Sequence, residues 1–213
     1  MIDFRNKLVK EGFKQDEIRP EIKRRMFQLK ENSLNLANEK LLSFAFVRDP
    51  FERLASCYYN KMVMSNWHRV KQDLRWMRDE ILVKFRPEID PSTSNENPSP
   101  VEFARYIVEQ SQTFGAEHLD NHIRPMWSSC PFCKVDFDVI GHLEDFDSDA
   151  GFIIDNLKLN ISQVGHKNSG SNHNSKLDFF KAIPSDLRLE LFQVYKMDFE
   201  MFAYPWPDFI LLE

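Results

Sequence analysis

Residues 43–61 read Ser-Phe-Ala-Phe-Val-Arg-Asp-Pro-Phe-Glu-Arg-Leu-Ala-Ser-Cys-Tyr-Tyr-Asn-Lys, an apolar run that turns directly into an amphipathic helix. Ser43 to Val47, with its Phe and Val, has the composition of a buried strand. Asp49 suits an N-cap, Pro50 suits the first helical position, and Glu52 stands three residues after the cap, the spacing of a capping box. From Phe51 the apolar residues recur at Leu54, Ala55, Tyr58 and Met62, which is one helical face. Strand, tight turn and helix in this order belong to an α/β architecture. Ligands of open α/β sheets bind beyond the carboxyl ends of the strands, and a helix N-terminus there offers unpaired N–H groups to an anion.

Arg48 and Ser56 are the chemistry-bearing residues of this segment. A guanidinium at a strand end can grip a phosphate through two hydrogen bonds. Ser56, two turns into the helix, lies in line with Glu52 and Asn60 on the polar side and adds a hydroxyl donor. The alternative is an Arg48–Glu52 ion pair at a helix start, with Ser56 merely exposed.

Two further segments stand out. Asp120-Asn-His-Ile-Arg-Pro125 is followed by Cys130-Pro-Phe-Cys133 and Phe137-Asp-Val-Ile-Gly-His-Leu-Glu144, and the chain closes with Tyr195-Lys-Met-Asp-Phe-Glu-Met-Phe-Ala-Tyr204. Together with Val47–Lys61 they resemble, in the same order, the motifs of the Golgi carbohydrate sulfotransferases, nearest the chondroitin/dermatan 4-O- and HNK-1-type enzymes. Ile123 stands where that family usually has Trp, and Phe137 where it has Tyr. The resemblance spans roughly residues 41–206. It implies an α/β fold with a P-loop-kinase-like parallel sheet flanked by helices. It also implies sulfuryl transfer from 3′-phosphoadenosine 5′-phosphosulfate (PAPS) to a glycan or glycosaminoglycan hydroxyl, with Arg48 and Ser56 on the 3′-phosphate and no metal required.

The family also has a strand–turn–helix that holds the 5′-phosphosulfate, and residues 1–40 contain no such element. The expectation is therefore one helix-rich domain over residues 1–213, lacking the first strand and the 5′-phosphosulfate loop. The family's membrane anchor would lie upstream of Met1. A rival expectation is an inactive fragment that binds nucleotide or glycan without turnover.

His122 is the candidate general base, because a neutral imidazole can take the acceptor hydroxyl's proton, with Asp120 orienting it. Alternatively it caps a loop. Arg124 either binds a sugar carboxylate or sulfate or makes a surface ion pair. Trp67 could stack on a sugar ring beside the basic side of a helix over Met62–Phe85 that carries Arg69, Lys71, Arg75, Arg78 and Lys84. Lys167 contacts PAPS from a late polar loop, or that loop is a plain linker. In an oxidising lumen Cys130 and Cys133 would form a local disulfide; the alternative is zinc bound with His122 and His142. Cys57 is expected to be free. Asn160-Ile-Ser162 is an N-glycosylation sequon.

Composition bounds the rest. A chain of 213 residues with 42% apolar and 29% charged residues is long enough and apolar enough for a packed core. The net charge of −5 gives no reason to expect nucleic acid as a partner. The charge is uneven: residues 1–90 hold 19 Lys/Arg against 14 Asp/Glu, and residues 91–213 hold 9 against 19, so the bases gather around the Arg48 segment. No apolar run reaches a membrane span, and no signal-peptide core follows Met1, so the Golgi-lumenal location is implied by the resemblance alone.

Residues 3–40 are expected to form two short amphipathic helices, with Lys23-Arg24-Arg25 either on a solvated face or as a ligand contact. Residues 86–100 hold four prolines and read as a loop. Ser99, Pro100 and Glu102 restart a helix that buries Phe103, Tyr106, Ile107 and Phe114. A second strand is expected over Val135–Ile140 and a helix over Asp145–Leu159. A last helix, over Ser185–Met201, carries packing residues.

Overall fold

The computed structural model describes residues 43–63, 74–129, 132, 136–156 and 178–208. In chain order they form β1 (Phe44–Val47), α1 (Pro50–Cys57) with a π-helical continuation (Tyr58–Val63), α2 (Arg75–Phe85), α3 (Pro100–Phe114), the short α4 (Met126–Ser129), β2 (Val139–His142), α5 (Phe146–Asn156) and α6 (Ser185–Met201). The architecture is helix-rich α/β with a small parallel sheet. The helices expected in residues 3–40 lie outside the described residues, as do Trp67, Cys130, Cys133, Asn160 and Lys167. No helix among the described residues is long and apolar enough to cross a membrane.

The chain divides into two compact units. One comprises Met1–Asp49, Met126–Ser169 and Met197–Trp206; the other comprises Pro50–Pro125, Gly170–Lys196 and Pro207–Glu213.

In the first unit β1 and β2 pair in parallel, with Phe44 opposite Val139, Ala45 opposite Ile140, Phe46 opposite Gly141 and Val47 opposite His142. The register is set at its open end. Ser43 N–H and Oγ–H both donate to Asp138 Oδ2 at 2.8 Å, and the Asp138 N–H donates back to Ser43 Oγ at 3.1 Å. The expected strand over Val135–Ile140 is thus shorter among the described residues, where β2 starts at Val139 and Asp138 turns its N–H and carboxylate to Ser43 before the ladder begins; Val135 lies outside the described residues. β1 is also less buried than its composition suggests, since Phe44 is exposed and Val47 alone is fully covered.

Phe46 lies over Gly141, its partner in register, where an added Cβ would stand 2.6 Å from the ring. Glycine is the residue that lets this ring lie flat on the next strand. Phe146, the first residue of α5, packs on the same ring at 5.0 Å between centroids.

Of the closing Tyr195–Tyr204 segment, the part from Met197 onward contributes packing to this unit, as its pattern implies. Asp198, wholly buried, accepts the N–H groups of Met126 and Trp127 at 2.7 and 2.8 Å and so caps α4. His142 donates from Nε2 to Phe202 O at 3.0 Å, and its backbone N–H donates to Asp149 Oδ2 at 2.8 Å. His142 is therefore a buried structural histidine. α6 ends through Ala203 at φ 57°, with the Tyr204 N–H donating to Phe199 O at 3.0 Å, a left-handed terminator usually made with glycine.

In the second unit the core is aromatic. Phe51 packs on Phe180 at 4.6 Å, Tyr58 on Phe179 at 4.9 Å and on Phe103 at 5.4 Å. The apolar face expected of α1 is the buried one: Phe51, Leu54, Ala55, Tyr58 and Met62 are all inside. α3 starts with the expected capping box, Ser99 Oγ accepting the Glu102 N–H and Glu102 accepting the Ser99 N–H. Its buried face is Phe103, Tyr106 and Ile107, but Phe114 is exposed because the last turn runs past the core.

α2 departs further from its expected faces. Trp76, counted among its apolar contacts, is half exposed. Arg78, counted on the polar side as a possible glycan contact, is wholly buried. Its guanidinium donates to the carbonyls of Pro91, Ser94 and Glu96. The Pro-rich loop is thus wrapped around a cation, and Arg86 adds contacts to Glu96, Asn97 O and Glu102. Lys84 pairs with Glu109 of α3.

Candidate functional site

Arg48 follows β1 directly and is half-buried. Beside it the Asp49 N–H donates to Glu144 Oε1 at 2.7 Å, and Tyr204 O–H donates to Glu144 Oε2 at 3.0 Å, so the strand end is tied to the turn after β2. The chain then enters α1 at Pro50, where the missing N–H costs the helix nothing.

Ser56 lies in α1 in the second unit, half-buried, and its Oγ accepts from the Asn60 amide at 3.1 Å. This is the expected polar line, and it leaves the hydroxyl proton outside that bond. Arg48 and Ser56 are thus each placed within a different unit.

The second unit brings the remaining described site residues together. In the turn 120–124, Ile123 and Arg124 donate their N–H groups back to Asp120 O at 3.0 and 2.7 Å. The Asp120 carboxylate accepts the His122 backbone N–H at 2.9 Å and faces His122 Nδ1 at 2.8 Å. A carboxylate at Nδ1 holds that nitrogen as the donor and leaves Nε2 as the basic one. The His122 side chain is 37% exposed, so the ring is oriented from below and reachable from outside. Both residues were legible as a pair two positions apart.

Arg124 is held within its own loop. Nη2 donates to Asn121 Oδ1 and Nη1 to Glu117 O at 3.2 Å. Ile123, in the family's Trp position, is buried, and its carbonyl accepts Tyr195 O–H from α6.

One residue was not singled out from the sequence. Arg53, on α1 three residues before Ser56, donates from Nη1 to His122 O at 3.3 Å and from Nη2 to Arg124 O. With Tyr195 on Ile123 O, three consecutive carbonyls of the His122 turn are therefore gripped by side chains from two helices. The only sequence signal for this was membership of the same matched segment as Arg48 and Ser56.

Cys57 carries a free thiol, as expected. Burial pushes it up to about 12; the Arg53 guanidinium opposes that shift and the Asp120 carboxylate adds to it. Such a thiol is a poor nucleophile at neutral pH.

Comparison with known proteins fits this arrangement. The model of a sulfotransferase family matches residues 4–205. Carbohydrate sulfotransferase 14 of Mus musculus is 26% identical over 187 residues, covering 84% of this chain and 46% of that protein. Carbohydrate sulfotransferase 12 of Xenopus laevis is 26% identical over 198 residues (88% and 46%), and carbohydrate sulfotransferase 11 of Danio rerio 27% over 186 (84% and 51%). The chain spans about half the length of the curated relatives it matches. No solved structure matches. The strand–turn–helix of Arg48, the Asp120–His122 turn and the closing Tyr195–Tyr204 segment all lie inside the matched span, and the chain belongs to the sulfotransferase family, with carbohydrate sulfotransferases as its relatives.

Proposed function

We propose that this chain is the donor-phosphate-binding and proton-accepting part of a PAPS-dependent carbohydrate sulfotransferase. A glycan hydroxyl oxygen bonds to the sulfur of PAPS as the sulfur–oxygen bond to the 5′-phosphate breaks. Adenosine 3′,5′-bisphosphate leaves, and the hydroxyl proton passes to His122 Nε2. Arg48 and Ser56 hold the 3′-phosphate and so fix the donor in line with the acceptor, which is where most of the rate acceleration in such transfers originates.

The Asp120–His122 pair carries this reading, because it fixes the tautomer a general base needs while leaving the ring accessible. Arg124, Trp67 and Lys167 are proposed contacts to acceptor or donor. The scheme assigns no role to a metal or to nucleic acid. The Asn160 sequon and the Cys130/Cys133 pair suit the glycosylating, oxidising lumen of the Golgi, the proposed place of work. The P-loop-kinase-like sheet and a single domain belong to the same proposal; a family match that runs through both units supports them.

The test is a calorimetric titration with adenosine 3′,5′-bisphosphate, paired with a labelled-sulfate transfer assay on glycosaminoglycan acceptors. Arg48→Ala is expected to weaken bisphosphate binding by roughly 1.5–3 kcal/mol, the loss of charged hydrogen bonds. Unchanged affinity overturns the assignment of Arg48. Binding without transfer would make the chain a nucleotide-binding remnant.

A further inference from the structure

We propose that Arg53 is a positioning residue that holds His122 in register with the helix carrying Ser56. The proposal rests on the reading of His122 as the base and adds to it how the base is placed.

Three observations carry it. Arg53 and Ser56 are three residues apart on α1, so they are neighbours on the helix surface. The Arg53 guanidinium forks over the carbonyls on either side of Ile123, at His122 and Arg124, and thereby holds the peptide plane that follows the imidazole-bearing residue and the one that follows Arg124. The same two bonds show that this stripe of α1 faces the Asp120–Arg124 turn, and Cys57, one turn after Arg53 on it, is raised in part by the Asp120 carboxylate.

The guanidinium suits this task. Its planar fork reaches two acceptors with a fixed angle between them, and its cation binds carbonyls more strongly than a neutral donor would. Arg53 Nε is buried with no hydrogen-bond partner among the described residues, so the side chain is committed to the turn through its two terminal nitrogens. An α1 displaced by donor binding would therefore move the His122 turn with it.

The experiment uses the 213-residue chain, with the His122 ring resonance assigned by its disappearance in His122→Asn. Arg53→Lys keeps the charge but cannot span both carbonyls, and Arg53→Gln keeps a planar amide if the lysine variant folds poorly. Both are compared with the parent by ring chemical shift, by bisphosphate titration and by transfer kinetics.

The expected result is a shifted or broadened His122 resonance, bisphosphate affinity within about twofold of the parent, and kcat lowered by about ten- to a hundredfold, as for a base misplaced by about an ångström. In the His122→Asn background, Arg53→Lys is expected to lower kcat no further. A merely structural role would lower the melting temperature and leave kcat per folded molecule and the ring resonance unchanged; that outcome overturns the proposal. Full activity of His122→Asn would instead overturn the base assignment, while a ring resonance that still responds to Arg53→Lys would support the clamp.

Discussion

Replacing Arg78 with alanine removes a wholly buried cation from the second unit without touching a residue of the proposed site. The guanidinium is wholly buried and donates from Nε to Glu96 O at 3.0 Å, from Nη1 to Pro91 O at 3.0 Å and Asp79 Oδ1 at 2.7 Å, and from Nη2 to Ser94 O at 2.6 Å and Glu96 O at 2.7 Å. Hydrogen bonds to a charged donor contribute about 1.5–3 kcal/mol each. Adding five of them would overcount, because they share one group and because Ser92, Thr93 and Glu96 are exposed enough for water to reach the loop. Removing one partner of a buried ionic cluster, about 3–5 kcal/mol, is the better guide, and rehydration of the loop carbonyls brings the expectation to about 3 kcal/mol.

That is a large share of the roughly 5–15 kcal/mol that holds a domain together. Arg78→Lys retains the cation, but three protons on one nitrogen cannot meet carbonyls from residues 91, 94 and 96 together; about half the loss is expected. Urea unfolding followed by tryptophan fluorescence reads the stability, and a Glu-specific protease reads the loop through cleavage after Glu88 and Glu96. A loss under about 1 kcal/mol with unaltered cleavage would show that the loop stands without its central cation and would refute the reasoning.

Gly141→Ala is expected to destabilise the first unit by about 1–3 kcal/mol, since the new methyl meets the Phe46 ring. The penalty should shrink in a Phe46→Ala background if that contact is the cause, which thermal melts of the double-mutant cycle will read. Ala203→Gly is expected to stabilise the chain by about 0.5–1 kcal/mol, because glycine adopts the left-handed terminator of α6 without strain. Iodoacetamide at pH 8 should leave Cys57 unmodified until the chain is unfolded, read by peptide mass spectrometry. The fold raises this thiol from 9.0 to about 12, so its contribution to stability is complete below pH 9 and is lost as pH climbs toward about 12.

Features whose partners are close in sequence were legible before the structure. The Ser99–Glu102 box closes within one helical turn, the Asp120–His122 pair within two residues, and the buried stripe of α1 follows from a 3.6-residue period. What was missed depends on partners far along the chain. Arg78 stands between the buried Met77 and Ile81, and a period count sorts it by residue type onto the wet side. The carbonyls of residues 91–96, folded over it, together with the Asp79 carboxylate, make burial tolerable there. Arg53 is the same case, with acceptors 69 and 71 residues away. The described start of β2, at Val139, also involves a distant partner: Asp138 finds Ser43, 95 residues earlier, before the ladder begins.

The polar residues of the matched segments divide by how the fold engages them, and that division bears on where chemistry can occur. Asp198 caps α4, Tyr195 pins the His122 turn, Glu144 joins Asp49 to Tyr204, and Asp138 clasps Ser43. Asp198 and Tyr195 are buried and need such partners, while Glu144 and Asp138 are exposed and tie neighbouring segments together, so the presence of a polar residue in a motif does not by itself mark a ligand contact. A chemical role calls for a side chain whose orientation is fixed by one bond while another polar atom remains open to an incoming group. His122 meets this condition through Nε2, and Ser56 through its hydroxyl proton. By the same criterion Arg124, bound within its own loop to Asn121 and Glu117, would have to exchange those partners to grip a sugar carboxylate or sulfate, which sets it below His122 and Ser56 as a site of chemistry.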